Sequence, residues 1–261
     1  MVFTDLDGTL LDAETFDFTA ARPILQRLHA AGIPVVPITS MTMDEVRPLA
    51  QDIGLDDAMI IESGGAIARW TEAGWEVEAC GPEADTLLEV VREIEERSGA
   101  DLTVYSVLPD DEAARLSGLS GDMLRYSTCR RFSEPFVVDP GDVADVMKAA
   151  ASIGFSVRRG RRFFHLCRRS DEGQTFLRLR EELGCEVAVA LGDSPLDAEF
   201  LERADIPIII PQPGGHPDPE LLAKVPKARV ARAPGSAGWA AAVQEVFAEG
   251  CSTDRANASG G

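Results

Sequence analysis

The sequence predicts an α/β protein with a doubly wound parallel sheet as its core and an α+β domain inserted in its middle third. Strand and helix patterns alternate in the first and last thirds of the 261 residues, which is typical of a parallel sheet with helices on both faces. Acidic and hydroxyl residues directly follow several of the apolar strand segments. Because such sheets bind ligands at the carboxyl ends of their strands, we expect these residues to share one site.

Strand and helix patterns alternate regularly through the first third. The predicted strands are 1–4, 33–39 and 59–61, and the predicted helices are 19–31 and 43–53. Thr42 and Glu45 form a capping box, which marks the start of the second helix. Gly32 is placed to end the first helix. Pro37 argues mildly against the second strand, because proline is disfavoured in a central strand.

The middle third has the pattern of a separate α+β unit, and the last third returns to the pattern of the first. The insert is predicted to contain helices 82–98, 110–125 and 140–153 and strands 102–108, 135–138, 155–158 and 163–167. The last third is predicted to contain helices 170–183, 194–203 and 239–247 and strands 187–191 and 206–210. We therefore predict a Rossmann-like core of residues 1–79 and 168–249, an insert of residues 80–167, and a disordered tail of residues 250–261.

Composition narrows the range of partners. The chain has a net charge of −19 and is 45% hydrophobic, which favours a soluble globule and argues against nucleic acid or anionic membrane as partners. No apolar run reaches membrane-spanning length, and the opening strand gives no sign of a signal peptide. Five cysteines without paired spacing indicate reduced thiols and a cytoplasmic location. The oligomeric state stays open between a monomer and a homodimer.

Two carboxylates follow the first predicted strand. Asp5 and Asp7 are two residues apart, and Gly8 permits a sharp turn behind them. Paired acids can hold a divalent cation, and one of them can then attack phosphorus. An Asx turn would explain Asp7 and Gly8 alone. It would not explain why Asp5 follows an apolar strand or why acids recur at Asp193, so a chemical site is favoured. Glu62 also lies just past a predicted strand.

Three segments carry a resemblance to a known family. Residues 5–9 (Asp-Leu-Asp-Gly-Thr), Thr39 after an apolar strand, and residues 192–197 (Gly-Asp-Ser-Pro-Leu-Asp) resemble three motifs of the haloacid dehalogenase superfamily. The insert resembles the larger α+β cap of its Cof-type (IIB) branch. Residues 131–136 and 160–165 further resemble segments of phosphatases in that branch that act on glycosylated 3-phosphoglycerate.

The resemblance implies a Mg²⁺-dependent phosphomonoester hydrolase that works through an aspartyl-phosphate. Asp5 would be the nucleophile, and Asp7 would protonate the leaving oxygen and then activate water. Asp5, the carbonyl of Asp7 and Asp193 would hold Mg²⁺, with Asp197 in support. These roles suit phosphoryl transfer, in which catalysis is mainly positioning and charge neutralisation.

The resemblance implies that residues of the second motif bind phosphate. A phosphate-binding lysine that relatives carry before the third motif is absent from this chain. Thr39, helped by Ser40, would donate to the transferring phosphoryl group. Relatives usually carry a lysine where this chain has Glu172, and that lysine contacts phosphate. We hypothesise that Arg168 or Arg169 supplies the missing charge, because both lie a few residues before Glu172.

Residues of the insert and one strand end are candidates for substrate binding: Glu62, Arg131, Glu134, Arg162 and His165. Arg131 and Arg162 are favoured to hold a carboxylate, because a guanidinium can grip one with two parallel hydrogen bonds. Glu134 could equally pair with an arginine. A histidine in a strand, such as His165, is more often a core residue than a catalyst.

The expected partner is a small phosphorylated glycoside, and the expected product is a glycosylglycerate that serves as a compatible solute. Two alternatives stay open. One is a phosphatase for another sugar phosphate, because residues of the insert decide specificity. The other is a sugar-phosphate-binding protein that lost turnover together with the lysine. Retention of the four aspartates at 5, 7, 193 and 197 argues against the second alternative.

Overall fold

The computed structural model describes residues 1–55, 57–168 and 171–258, apart from the side chains of 167, 168, 171 and 249–258. The strands are β1 (Val2–Thr4), β2 (Val35–Pro37), β3 (Ala58–Ile61), β4 (Ala66–Thr71), β5 (Gly74–Ala79), β6 (Thr103–Val104), β7 (Glu134–Val137), β8 (Phe155–Arg159), β9 (Phe164–Arg168), β10 (Val189–Gly192), β11 (Ile206–Ile209) and β12 (Arg229–Val230). The helices are α1 (Arg22–Ala30), α2 (Met43–Ile53), α3 (Ala84–Ser98), α4 (Asp110–Ser117), α5 (Gly121–Thr128), α6 (Val143–Ser152), α7 (Asp171–Glu182), α8 (Ala198–Arg203), α9 (Pro219–Lys224) and α10 (Gly235–Ala258).

The core is a parallel sheet in the order β12-β11-β10-β1-β2. An isolated parallel bridge between Ile38 and Ile60 continues it to β3. Alternate residues of β1 face opposite hydrophobic clusters. Val2 packs with residues of α1, α2 and α10, whereas Phe3 packs with residues of α7, α8 and α9. Helices thus cover both faces, and the predicted doubly wound α/β fold is confirmed.

Pro37 is tolerated in β2 for a reason of hydrogen bonding. The amide of Ile38 donates to the carbonyl of Thr4 in β1 at 2.7 Å, so the nitrogen of the preceding proline faces the other neighbour, β3. Pairing with β3 is limited to the bridge at Ile38 and a bond from the Thr39 amide to the Ile60 carbonyl. No ladder bond is lost there.

The insert has a four-stranded antiparallel sheet in the order β6-β7-β9-β8. Helices α3 and α6 pack on it around a hydrophobic cluster drawn entirely from residues 87–166. The exact boundaries predicted for core and insert stay a prediction. No helix among the described residues has both the length and the apolar composition needed to cross a bilayer.

Several elements differ from their predicted extents. The segment 102–108 was predicted as one strand, but only Thr103–Val104 is strand, because a 3-10 turn directs the Tyr105 hydroxyl to Ser127 Oγ at 2.7 Å. The hairpin β4–β5, whose turn uses Gly74 at φ +110°, was not predicted. Helix α10 is longer than predicted, and its helical backbone continues to Ala258, through most of the segment expected to be a disordered tail.

Candidate active site

The central strands β1 and β10 bring the first and third motifs together. Thr4 is opposite Leu191 in their parallel register, and the amide of Asp5 donates to the Leu191 carbonyl at 2.9 Å. Asp5 and Asp193 therefore leave neighbouring strands at the same edge of the sheet. One carboxylate oxygen from each of Asp5, Asp193 and Asp197 lies within 4.8 Å of the others, and all three residues are buried.

Two glycines make room for this aspartate cluster (Asp5, Asp193 and Asp197). A Cβ on Gly8, which has φ +90°, would stand 2.6 Å from Asp193 Oδ2. A Cβ on Gly192 would stand 2.6 Å from the Cβ of Asp197. Contacts this short are not tolerated between real side chains. Glycine is therefore needed at both positions for the acids to converge.

Hydrogen bonding leaves part of the aspartate cluster unsatisfied. Asp197 Oδ2 accepts from the amides of Asp193 at 2.9 Å and Ser194 at 2.8 Å, which fixes this carboxylate. Oδ2 of Asp5 and Oδ2 of Asp193 are buried and accept no hydrogen bond. Buried carboxylate oxygens without partners are costly. A hard divalent cation such as Mg²⁺ is coordinated by oxygen ligands of this kind, so the residues fit the implied metal.

The charges of the aspartate cluster point the same way. Burial raises the pKa of Asp5 well above its usual range, and repulsion from Asp197 and Asp193 raises it further. Burial and then Asp197 also raise the pKa of Asp193, and burial raises the pKa of Asp197 to about 6. Three adjacent carboxylates cannot all ionise cheaply without a counter-charge. A bound cation would supply it.

Asp7 faces the same cavity but has a different environment. Burial raises its pKa, and the positive charges of Arg162 and Arg161 oppose that rise. A carboxyl group with a raised pKa keeps its proton more readily than an ordinary aspartate and can donate it to a leaving oxygen. This suits the predicted acid role of Asp7.

A cavity of about 110 Å³ lies between core and insert. The acidic residues that line it are Asp5, Asp7, Glu45, Asp193 and Asp197, and the arginines are Arg130, Arg161 and Arg162. The other polar residues in its lining are Ser40, Tyr105, Ser117, Ser127, His165 and Ser194. Of the predicted site residues, the cavity thus brings together Asp5, Asp7, Ser40, Arg162, His165, Asp193 and Asp197.

Residues after β2 approach the cavity from the core. Thr39 is buried at the end of this strand, and its Oγ1 accepts from the amide of Met41 at 3.2 Å. Ser40 lines the cavity, and its carbonyl accepts from Arg130 Nη2 at 2.6 Å. Ser40, rather than Thr39, is thus the residue that lines the cavity.

Three predicted substrate residues do not line the cavity. Glu62 accepts from the amides of Arg131 at 3.1 Å and Phe132 at 2.9 Å, and from Ser133 Oγ at 2.9 Å. Glu134 accepts from the amide and hydroxyl of Ser106. The guanidinium of Arg131 lies 4.8 Å above the Phe132 ring. Glu62 thus joins the core to the insert, and Glu134 makes contacts within the insert.

His165 lines the cavity as a neutral side chain. Burial, followed by the nearby charges of Arg130 and Arg158, lowers its pKa to about 3. A Cβ on Gly160 would stand 3.0 Å from its Nε2, so the glycine lets the ring pack closely against the turn before β9. A neutral imidazole offers substrate a hydrogen bond rather than a charge.

Glu172, at the position of the expected lysine, faces an arginine of the insert. Its Oε2 lies 3.6 Å from Arg158 Nη1, and Arg158 Nη2 lies 2.8 Å from Glu199 Oε1. Burial raises the pKa of Glu172 to about 8 and outweighs the opposing charge of Arg158. The side chain of Arg168 and all of Arg169 lie outside the described residues, so the hypothesis that they replace the lysine stays untested.

Arg130 and Arg161 line the cavity but were not among the predicted site residues. Arg130 directly precedes the segment 131–136, and Arg161 lies inside the segment 160–165, the two segments of the insert that carry the resemblance. Runs of charge usually form solvated surface, and only the packing of insert on core distinguishes these two arginines from their neighbours.

The sheet order, the strand-end aspartates and the insert together define a haloacid dehalogenase-like hydrolase. Residues 2–117 match the family model described as haloacid dehalogenase-like hydrolase, and the chain belongs to this family. The expected Cof-type branch is confirmed. The chain is therefore an enzyme of the hydrolase class.

Similar proteins include two curated phosphatases. The glucosyl-3-phosphoglycerate/mannosyl-3-phosphoglycerate phosphatase of Persephonella marina is 32% identical over 271 residues, which cover 95% of this chain and 97% of the relative. The phosphatase of the same name from Methanococcoides burtonii is 27% identical over 265 residues, with the same coverage. A solved subclass IIB sugar phosphatase of the superfamily has the same fold, with a TM-score of 0.70, 16% identity, and coverage of 94% of this chain and 98% of its own.

Proposed function

We propose that the protein is a Mg²⁺-dependent phosphatase that converts mannosyl-3-phosphoglycerate, or its glucosyl analogue, to the glycosylglycerate and phosphate. The observation that carries the reaction type is the buried aspartate cluster, whose oxygens lie within 4.8 Å of one another and are partly unsatisfied. The two curated relatives, similar over nearly their whole length, support the substrate class.

The reaction divides between two carboxylates. Asp5, Asp193 and Asp197 would hold Mg²⁺, which when bound neutralises charge on the aspartates and the phosphate. The Asp5 carboxylate attacks phosphorus, and Asp7 donates its proton to the departing glycerate oxygen. Asp7 then takes a proton from water, whose oxygen attacks the aspartyl-phosphate and releases phosphate from Asp5. The raised pKa of Asp7 supports the first proton transfer.

The lining of the cavity supports a substrate with more than one anionic group. A glycosylated 3-phosphoglycerate carries a phosphate, a carboxylate and sugar hydroxyls. Arg162 lines the part of the cavity that the insert contributes, and a guanidinium suits a carboxylate. Tyr105 and Ser117, polar residues of the same lining, suit the sugar. We further propose a cytoplasmic role in compatible-solute synthesis.

The test is a phosphate-release screen with and without Mg²⁺ on both glycosylated phosphoglycerates, free 3-phosphoglycerate and simple sugar phosphates. We expect the glycosylated phosphoglycerates to be the best substrates. Asp5→Asn should abolish release without lowering the thermal midpoint, and Asp142→Asn, at an exposed aspartate of the insert, is the matched control. Faster phosphate release from another sugar phosphate would overturn the substrate assignment. Binding without turnover would instead favour the sugar-phosphate-binding alternative.

A further inference from the structure

Arg161 lies in the turn between β8 and β9 and reaches from the insert to the aspartates of the core. A Cβ on Gly8 would stand 2.6 Å from Arg161 Nη1 and 2.6 Å from Asp193 Oδ2. The guanidinium and the Asp193 carboxylate therefore meet over the same face of the Gly8 turn. The charge of Arg161 opposes the rise in pKa of both Asp7 and Asp193, as its position over that turn requires.

The neighbouring arginines of the insert have other contacts. Arg158 and Arg159 in β8 each lie 2.8 Å from a core carboxylate, Glu199 and Asp218 respectively. Among the side chains that the structure describes, Arg161 forms no ion pair with a carboxylate. Its guanidinium thus faces the aspartate cluster with its hydrogen-bond donors available to a ligand.

The other two arginines of the cavity have different positions. Arg130 donates to Ser40 O and Ser133 Oγ, both at 2.6 Å. Its guanidinium is therefore already engaged in hydrogen bonds within the protein. Arg162 Nη2 would stand 4.0 Å from a Cβ on Gly118 in the insert. The charges of Arg162 and Arg161 both oppose the rise in the pKa of Asp7, and the charge of Arg161 also opposes the rise in the pKa of Asp193.

We propose that Arg161 is a catalytic residue that donates to the transferring phosphoryl group and supplies the positive charge that a core lysine would otherwise supply. This inference rests on the proposed phosphatase function. Charge neutralisation is the main chemical demand of phosphoryl transfer, and no lysine or arginine of the core is among the described residues that line the cavity. The turn that carries Arg161 belongs to the insert, so the charge arrives only when insert and core are in contact.

The test compares Arg161→Ala and Arg161→Lys with Arg125→Ala, a control at an exposed insert arginine that pairs with Asp122. Each variant is assayed on the best substrate of the screen and on p-nitrophenyl phosphate, which lacks both sugar and carboxylate. We expect Arg161→Ala to lower kcat by about 10²–10³-fold on both esters, as loss of one transition-state donor does in other enzymes. Arg161→Lys should restore part of the rate, and Arg125→Ala should match the parent protein.

Orthovanadate binding to the Mg²⁺-loaded protein, measured by calorimetry, adds a readout that needs no turnover. Arg161→Ala should weaken it about tenfold or more, and an unchanged thermal midpoint would show that the variant folds. An unchanged kcat together with unchanged vanadate affinity would overturn the proposal. A rise in KM on the glycosylated ester alone would also overturn it, because Arg161 would then bind a remote part of the substrate. If only the substrate assignment is wrong, p-nitrophenyl phosphate and vanadate still separate the variants.

Discussion

The core and the insert contribute opposite charges to the cavity between them. Asp5, Asp7, Glu45, Asp193 and Asp197 come from the core, whereas Arg130, Arg161 and Arg162 come from the insert. In the core, buried acids repel one another and raise one another's pKa. The arginine side chains instead reach across the gap and oppose that rise. Neither half alone has the balance of charge that phosphoryl transfer requires.

This difference also bears on how substrate enters. The cavity of about 110 Å³ is smaller than the roughly 300–1,000 Å³ typical of ligand sites. If the proposed phosphorylated glycoside is the substrate, its binding would require insert and core to move apart. Return of the insert would then bring its arginines to the substrate at the aspartates and couple chemistry to closure.

The largest expected effect comes from removing charge on the core side. Asp193→Asn should lower Mg²⁺-dependent phosphate release by about 10³-fold, because a divalent cation contributes several kcal/mol to the transition state. The same variant should raise the thermal midpoint of the metal-free protein, because it relieves repulsion among buried carboxylates. Asp142→Asn serves as control in both assays, and a variant that kept its Mg²⁺ response would remove Asp193 from the metal site.

Removing charge on the insert side at Arg158 should destabilise the fold. Above pH 8 Glu172 is ionised, and Arg158→Ala should cost about 3–5 kcal/mol of unfolding free energy, because a buried charge loses its partner. At pH 6 the cost should be smaller, because Glu172 then keeps its proton. Arg159→Ala, at a side chain that is 42% exposed, should cost only about 0–1 kcal/mol.

Denaturant titrations of both arginine variants at the two pH values measure these costs. Adding Glu172→Gln to Arg158→Ala should recover most of the loss at high pH. Equal costs for the single and the double variant would show that Glu172 does not depend on Arg158.

Glu172 should also make the stability of the unaltered protein depend on pH. Its pKa is about 8 in the folded state, against 4.5 for an ordinary glutamate. The folded state thus binds more protons between these values, so stability is highest below pH 4.5 and falls as pH rises towards 8. Arg158 opposes this effect, and Asp197 and Glu199 add to it.

The contribution of Glu172 is the difference between the parent protein and Glu172→Gln across that range. Its size should be on the order of a few kcal/mol. The difference between the two curves isolates the titration of Glu172 together with its coupling to Asp197. Parallel curves would mean that Glu172 titrates normally.

The smallest expected effect concerns Glu62, a core carboxylate that accepts from the backbone of residues 131–132 and has Arg130 Nε 3.9 Å away. Glu62→Gln should cost about 1–3 kcal/mol of unfolding free energy, because a carboxamide oxygen cannot accept all the hydrogen bonds from residues 131–133. Hydrogen exchange at the amides of Arg131 and Phe132 should accelerate as well. Glu76→Gln, at an exposed glutamate of β5, should change neither quantity.

The core half of the site follows from local sequence. An apolar strand followed by an acid predicts a carboxylate at the edge of the sheet, and this placed Asp5 and Asp193 together although they are far apart in the chain. The capping box at Thr42 fixed the start of α2 in the same way, and both its side-chain bonds are present. These signals work because each depends on residues within one turn or one strand.

The insert half depends on packing that local sequence does not encode. Glu62 also follows a strand, but positive φ values at Glu62 (49°) and Ser63 (57°) turn its side chain towards the backbone of 131–133. Nearness in sequence to Glu172 favoured Arg168 and Arg169 as the source of the charge that the missing lysine would supply, and this stays a prediction. Among the described side chains, Arg158 on β8 lies 3.6 Å from Glu172, and nothing in the local sequence indicates that contact. The packing of the insert on the core determines which arginine of the insert reaches the core, and this packing is not a property of the local sequence.

The place of β1 in the sheet also governs the order in which the protein can be made. This strand pairs with β2 on one side and with β10 on the other, so its second edge stays open until residues 189–192 have left the ribosome. The continuous segment that contains β6 to β9 emerges earlier and can complete its own sheet first. The hydrophobic strand β1 therefore lacks one of its partners for on the order of ten seconds of synthesis. During that period the open edge of β1 would be accessible to a chaperone.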